Sequence, residues 1–288
     1  MYHTLESWRR ENRELIKKEH YTEVFVTCKI DGGLGNQLFM LCATLAFAKR
    51  HGKIAWFEHA DSYGKRSSYW TSLFEPFTHT KKANVINFTY TEPYFQYSAI
   101  PSEADQLDGY FQSELYFKDH IQSIVQEMKI ASYQEQFRAT IPKHSVSLHF
   151  RIGDYIEFPN HHPIQSIDYY KRCIKHVLKH VPDATLYCFY EKKDTERVNT
   201  ILDSLLESNP SAYVRVPEQY PDLSDWQEMI LMSCCDHHII SNSTFSWWGA
   251  YMNPNKNKIV CYPSVWFGPA IPHDTKDLCP NEWVRIKS

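Results

Sequence analysis

The sequence predicts an α/β protein of two units, each built on a parallel sheet with crossover helices. Two observations carry this. Short apolar runs rich in β-branched residues alternate with helix-length stretches in both halves of the chain. In the first half, one such run passes through a glycine-rich turn directly into a helix and then a second strand, the pattern of a βαβ unit. The boundary falls near residues 131–144, with an N-terminal unit over 1–135 and a C-terminal unit over 136–288.

Each element follows from local signals. The polar opening, "MYHTLESWRRENRELIKKEH", predicts an amphipathic helix. "EVFVTCKI" (23–30) predicts a buried strand, and "QLFMLCATLAFAKRH" (37–51) a helix. Lys49, Arg50 and His51 suit the carbonyl end of that helix, and Gly52 suits its cap. "KIAWFE" (53–58) predicts the next strand. Residues 60–112 are irregular and rich in Tyr, Phe, Pro and Thr, so loops are expected there. "DGYFQSELYF" (108–117) predicts a strand entering a helix that runs to residue 130.

The second unit opens on the strand "HSVSLHF" (144–150), followed by a long loop. Residues 166–180 predict a helix capped by Ser166, and 184–190 a strand. A helix is expected over 194–207, then a short strand, "AYVRV". Ser224 caps a helix over 224–235, and "HHII" (237–240) is the next strand. "SNSTFSWWGAYMN" (241–253) predicts a turn running into a short helix, and "KIVCYP" a closing strand.

Composition narrows the function classes. A chain of 288 residues holds one large or two small domains at ~150 residues each. It buries ~75% of its unfolded surface and needs no disulfide staples. The net charge of −3 argues against nucleic acid as the main partner, although a local basic pocket is compatible with it. The eight cysteines form no CxxC pair and sit mostly in apolar runs, which predicts reduced core thiols rather than zinc ligands or disulfides. No signal peptide and no apolar stretch of ~20 residues is present, so a cytoplasmic protein without a membrane anchor is expected. Aromatic residues make up 15% of the chain, enough for a large core or for platforms that stack on a base or a sugar.

Three stretches stand where chemistry is done in such folds. Asp31-Gly32-Gly33-Leu34-Gly35-Asn36-Gln37 lies between a strand and a helix. It matches neither GxGxxG nor the phosphate-loop GK[ST], so it offers neutral donors in place of a lysine. It reads either as an anion-facing turn or as a tight βα connection with Asn36 as helix cap. His149-Phe150-Arg151-Ile152-Gly153-Asp154-Tyr155 sits at the end of a strand, where open α/β sheets bind ligands. Arg151 suits a diphosphate, His149 shares its side of the strand, and Asp154 orients one of them or takes a proton; a structural Arg–Asp pair reads equally well. The third stretch holds Asn242, Ser243, Thr244, Phe245 and Ser246 ahead of Trp247 and Trp248. Its hydroxyls either cradle phosphate oxygens or cap the helix, while the tryptophans read as core. Asp225 and Glu228 lie on the preceding helix, either on its solvent face or on a pocket wall. No DxD triplet stands at a strand end, so no metal is required.

Together, GGLGNQLF, HFRIGDY and NSTFSWWGA resemble, in order and spacing over residues 24–262, the α-1,2-fucosyltransferases of glycosyltransferase family eleven. The resemblance implies a GT-B architecture, two Rossmann-like domains facing a central cleft, with an acceptor-side first domain and a GDP-fucose-binding second domain. It implies GDP-fucose as donor substrate, an oligosaccharide or glycoconjugate acceptor, no cofactor, no metal and inversion at the anomeric carbon. By position, Arg151 matches the arginine that holds the donor diphosphate, and Asn36 the asparagine that faces it from the first domain. Gly33, Gly35, Gln37 and residues 242–246 complete the implied donor site, with His149 and Asp154 as candidate bases. Given that GDP donor, Asp225 and Glu228 would read guanine N–H groups from the pocket wall. One departure stands out: most members carry a second arginine where this chain has Ile152. The alternatives are a fucosyltransferase of other linkage and a module that binds GDP-sugar or glycan without turnover.

Overall fold

The structure, a computed structural model, describes residues 24–78, 85–206 and 212–288. The helix expected at the start of the chain lies outside them. The N-terminal unit begins with β1 (Phe25–Cys28), α1 (Leu34–His51) and β2 (Ile54–Ala55). A small antiparallel hairpin follows, β3 (Ser62–Tyr63) and β4 (Arg66–Ser67), then β5 (Thr89–Thr91) and β6 (Gln106–Asp108). The sheet order is β2-β1-β6-β5, parallel throughout. Helix α1 is buried on nearly every side, which explains its almost unbroken apolar run. It ends as the sequence predicts: Gly52 takes φ 62° and donates its N–H to the Ala48 carbonyl.

Helices α2 (Ile121–Glu127) and α3 (Ile130–Arg138) lead to the second unit. There follow β7 (Ser145–His149), α4 (Ile167–Leu178), β8 (Thr185–Phe189), α5 (Thr195–Leu206), β9 (Ala212–Arg215) and α6 (Val216–Gln219). The chain closes with α7 (Asp225–Ser233), β10 (His237–Ile239), α8 (Thr244–Tyr251), β11 (Val260–Pro263) and β12 (Val284–Ile286). The expected caps are in place. Ser166 accepts from the Tyr169 N–H at 3.1 Å, and Ser224 forms a reciprocal capping box with Gln227. The sheet order is β9-β8-β7-β10-β11-β12, again parallel. Counted from β7, this is the 3-2-1-4-5-6 order of a doubly wound nucleotide-binding sheet, whose direction reverses between β7 and β10.

The two units share one core. Phe39 of α1 lies 4.5 Å from Trp247 and 5.1 Å from Trp248 of α8, ring centre to ring centre. Both tryptophans are fully buried, as core residues rather than ligand platforms. The indole N–H of Trp247 donates to the Leu278 carbonyl at 2.9 Å, and Leu278, Cys279 and Trp283 belong to the core cluster that contains α1 of the first unit. Helix α3 runs through the expected boundary, and its Gln134 donates to Ser233 Oγ and to the Met252 carbonyl, at 2.8 and 3.1 Å. An interface this apolar holds the units in one relative position. All eight cysteines are free thiols, seven of them buried.

The expectation for residues 108–117 is corrected. They form a loop and a single 3₁₀ turn at Glu114–Tyr116, and the helix beyond is split by Lys129 at φ 57°. The cause is Glu92, half-enclosed beneath the loop, whose Oε2 accepts the N–H groups of Tyr110 and Phe111 at 2.9 and 3.0 Å. Those donors are thereby removed from any regular ladder, and Phe111 is left at φ 52°. The hairpin β3–β4 and the short strands β5 and β12 were not anticipated; each has only two or three residues, too few to show a period.

Candidate functional site

A cleft of about 850 Å³ opens between the units. On the C-terminal side it is lined from the carboxyl ends of β7, β8 and β10, by His149 and Arg151, by Phe189 to Lys192, and by Asn242 to Phe245. The reversal of strand order therefore lies at the floor of the cleft, where the helices on either side diverge and leave a crevice.

Two helix N-termini meet at this floor. Gly33, extended at φ −75°, precedes α1, and Gly33, Leu34, Gly35 and Asn36 all line the cleft. Ser243 precedes α8 and lines it with Thr244 and Phe245. The first-turn N–H groups of each helix have no intrahelical acceptor, and neither first turn carries an acid. Ser243 makes no side-chain cap, which leaves its hydroxyl at the cleft wall. The two ends are in direct contact. Asn36 Oδ1 accepts from Thr244 Oγ1 at 2.8 Å and from Gln112 Nε2 at 3.2 Å. A Cβ on Gly35 would fall 2.4 Å from the Thr244 carbonyl carbon. The glycine-rich turn thus owes Gly35 to the approach of the opposite unit, and its positive φ to Gly32, at 79°.

Arg151 projects into the cleft with both ends of its fork engaged. Nη1 donates to Glu191 Oε1 at 2.6 Å and Nη2 to Asp154 Oδ1 at 2.7 Å. Its guanidinium carbon lies 5.2 Å from the centre of the Tyr155 ring. The other oxygen of Asp154 accepts from Arg66 Nη2 of the hairpin at 3.1 Å. Burial alone raises the Asp154 carboxyl, but the Arg151 charge and the Arg66 hydrogen bond outweigh it and hold the group below its ordinary value. His149 is buried, and its Nδ1 is shared with Ser241 Oγ at 2.8 Å. Burial, and then the Arg151 charge, push its pKa down to about 3. His149 is therefore neutral and a poor base, while Asp154 is ionised with each oxygen on a guanidinium. Both environments weaken these groups as bases in the ligand-free protein.

At the other end of the cleft, α7 presents Asp225 and Glu228. Tyr69 of the first unit donates its hydroxyl to Asp225 Oδ2. Burial, followed by repulsion from Asp225, raises the Glu228 pKa from 4.5 to about 7. The folded state therefore binds this proton more tightly than the unfolded chain. The stability it contributes is full below pH 4.5 and is lost as pH rises through about 7. Thermal melts of Glu228→Gln should show that slope removed, with the variant gaining on the wild type at pH 8.

Twelve of the fourteen site residues expected from the sequence line the cleft: Gly33, Gly35, Asn36, His149, Arg151, Asp154, Asp225, Glu228, Asn242, Ser243, Thr244 and Phe245. Gln37 and Ser246 do not. Gln37 is fully buried, and its amide donates to the Gly32 and Ser67 carbonyls, both at 2.8 Å. Ser246 is buried and donates to the Ser243 carbonyl at 3.3 Å. Asn242 spends its amide on structure, donating to the Pro163 and Trp266 carbonyls at 3.0 Å each. Sequence reasoning missed Arg66, Tyr155, Glu191 and Lys192, together with an aromatic rim of Phe95, Tyr110, Phe267 and His273. Ile152 is buried in the C-terminal core beside the apolar face of β7. Among the described residues no group of three His, Cys, Asp or Glu side chains is placed to hold a metal, and no helix is long and apolar enough to cross a membrane.

A doubly wound sheet whose switch point faces a second parallel sheet across a cleft defines a GT-B-like fold. The chain belongs to glycosyl transferase family 11, whose profile matches residues 7–287. It is 29% identical over 150 residues to the O-antigen biosynthesis glycosyltransferase WbnK of Escherichia coli, covering 49% of this chain and 44% of that protein. It is 28% identical over 190 residues to an alpha-1,2-colitosyltransferase of Escherichia coli, covering 62% of this chain and 61% of that one. The chain thus spans about half the length of the curated relatives it matches. Among solved structures, a mutant of Arabidopsis thaliana FUT1 in complex with GDP superposes with a TM-score of 0.47 at 11% identity, over 88% of this chain and 74% of that one.

Proposed function

We propose that the protein transfers fucose from GDP-fucose to O-2 of a terminal galactoside on an oligosaccharide or glycoconjugate, in the cytoplasm, with inversion and without a metal ion. The observation that carries the donor reading is the position of Arg151, at the switch point of a cleft that two helix N-termini also line. The acceptor oxygen bonds to fucose C1 as the bond from C1 to the β-phosphate oxygen breaks. GDP departs with the electron pair. Arg151, Asn36 and the Ser243–Thr244 turn stabilise the charge that builds on it. With His149 weakly basic and Asp154 held below its ordinary carboxylate value, the hydroxyl proton passes to water in the open cleft. This fits an oxocarbenium-like transition state, in which the leaving group departs early and the nucleophile needs little activation.

Asp225 and Glu228 would accept the N–H groups of guanine, which requires Glu228 to be ionised. Because its pKa is about 7, donor affinity should fall roughly tenfold between pH 8 and pH 6. Glu228→Gln should bind weakly with no such pH dependence, and titration calorimetry with GDP checks both. The linkage draws support from the relative named for α-1,2 transfer. That name also favours a second reading, in which the sugar moved is colitose. The overall test is an NMR assignment of the product made from GDP-fucose and lactose. An α-linked fucose on galactose O-2 supports the proposal, whereas a product at another hydroxyl removes the linkage from it.

A further inference from the structure

We propose that Arg66, on the β3–β4 hairpin of the N-terminal unit, is a second diphosphate-binding cation, supplied across the cleft from Arg151. The inference rests on the donor reading above. The residue after Arg151 is Ile152, and its side chain packs into the C-terminal core, so this loop sends one cation into the cleft. A diphosphate carries two or more negative charges, and planar forks grip it best in pairs. Arg66 is the guanidinium that the opposite unit places there. It lines the cleft half-exposed, and its Nη2 lies 3.1 Å from Asp154 Oδ2, while Arg151 Nη2 lies 2.7 Å from Asp154 Oδ1. Two guanidinium groups thus flank one carboxylate, the arrangement that two phosphate oxygens would meet on entering between them.

The hairpin is held for this purpose by residues of the donor turn itself. Gln37 is buried in α1 and donates to the Ser67 carbonyl, one residue from Arg66, and to the Gly32 carbonyl in the glycine turn. Two residues further on, Tyr69 ties the same segment to Asp225. Gln37 is thereby a positioning residue for Arg66, which accounts for its distance from the cleft. Asp154 keeps the two forks in place between turnovers.

The test is affinity for GDP, by calorimetry, and for guanosine, by ligand-observed NMR, in wild type, Arg66→Ala, Arg66→Lys and Arg151→Ala. Losing a charge-assisted contact to the diphosphate should weaken GDP roughly ten- to a hundredfold and leave guanosine unchanged, with Arg66→Lys recovering part of the loss. Arg66→Ala binding GDP like wild type while Arg151→Ala loses it would overturn the proposal and leave Arg66 as a cross-cleft latch. Equal weakening of GDP and guanosine would overturn it too, because a general opening of the cleft touches both ligands. A wild type that does not bind GDP would instead defeat the donor reading, and this inference with it.

Discussion

Arg151→Ala should lower the turnover of GDP-fucose by ~10²–10³ and weaken GDP binding, while the protein stays folded. The side chain reaches from the end of β7 into the cleft and belongs to no part of the core. Its ligand-free partners, Glu191 and Asp154, are partly exposed, so truncation leaves no buried charge unpaired. Arg151→Lys should recover little, since a point charge cannot span two oxygens as the fork does. Steady-state kinetics with GDP titration and a thermal melt separate the outcomes. A variant that melts with the wild type and has lost both donor affinity and turnover supports the account. One that turns over normally contradicts it.

Gly35→Ala should damage both stability and donor binding. The new methyl carbon would lie 2.4 Å from the Thr244 carbonyl carbon and 2.6 Å from its oxygen. Both obstacles are backbone, at the start of α8, and cannot rotate away. Relief requires α1 and α8 to separate, against the packing of Phe39 on Trp247 and Trp248. Overpacking of this kind costs ~1–3 kcal/mol or more, enough to lower the melting temperature by several degrees. It should also break the bond from Thr244 to Asn36 and move the two helix N-termini apart, so GDP affinity falls with stability. Gly33→Ala is the control, because nothing lies within 4 Å of its added carbon. Equal melting temperatures and GDP affinities for the two variants would contradict this account of the turn.

The sequence was most legible where a signal was local. Helix ends at Gly52, Ser166 and Ser224, the strands β7 to β11 of the second sheet and the buried thiols follow from residues close in the chain. The first and third motifs lie at the floor of the cleft, but the packing duties of Gly35 and Gln37 in the first were not legible. Gly35 and Gln37 both look like ligand residues in a glycine-rich turn; one makes room for Thr244, and the other anchors a hairpin thirty residues away. Such partners are invisible to any reading by proximity in sequence. The same holds for Arg66, which lies in a stretch with no period and gains its meaning only from Asp154 across the cleft. The protonation of His149 and Asp154 was hidden for a related reason. The residue types were apt, but burial and the neighbouring guanidinium groups set their protonation, and only the packed structure shows those.

The most direct measurement is GDP release from GDP-fucose, in EDTA, across a panel of β-galactosides, for wild type and Arg151→Ala. The account predicts release that depends on the acceptor, persists in EDTA and collapses in the variant. GDP that binds tightly yet is released with no acceptor in the panel would contradict the claim of transfer, and would make the cleft a binding module rather than an active site.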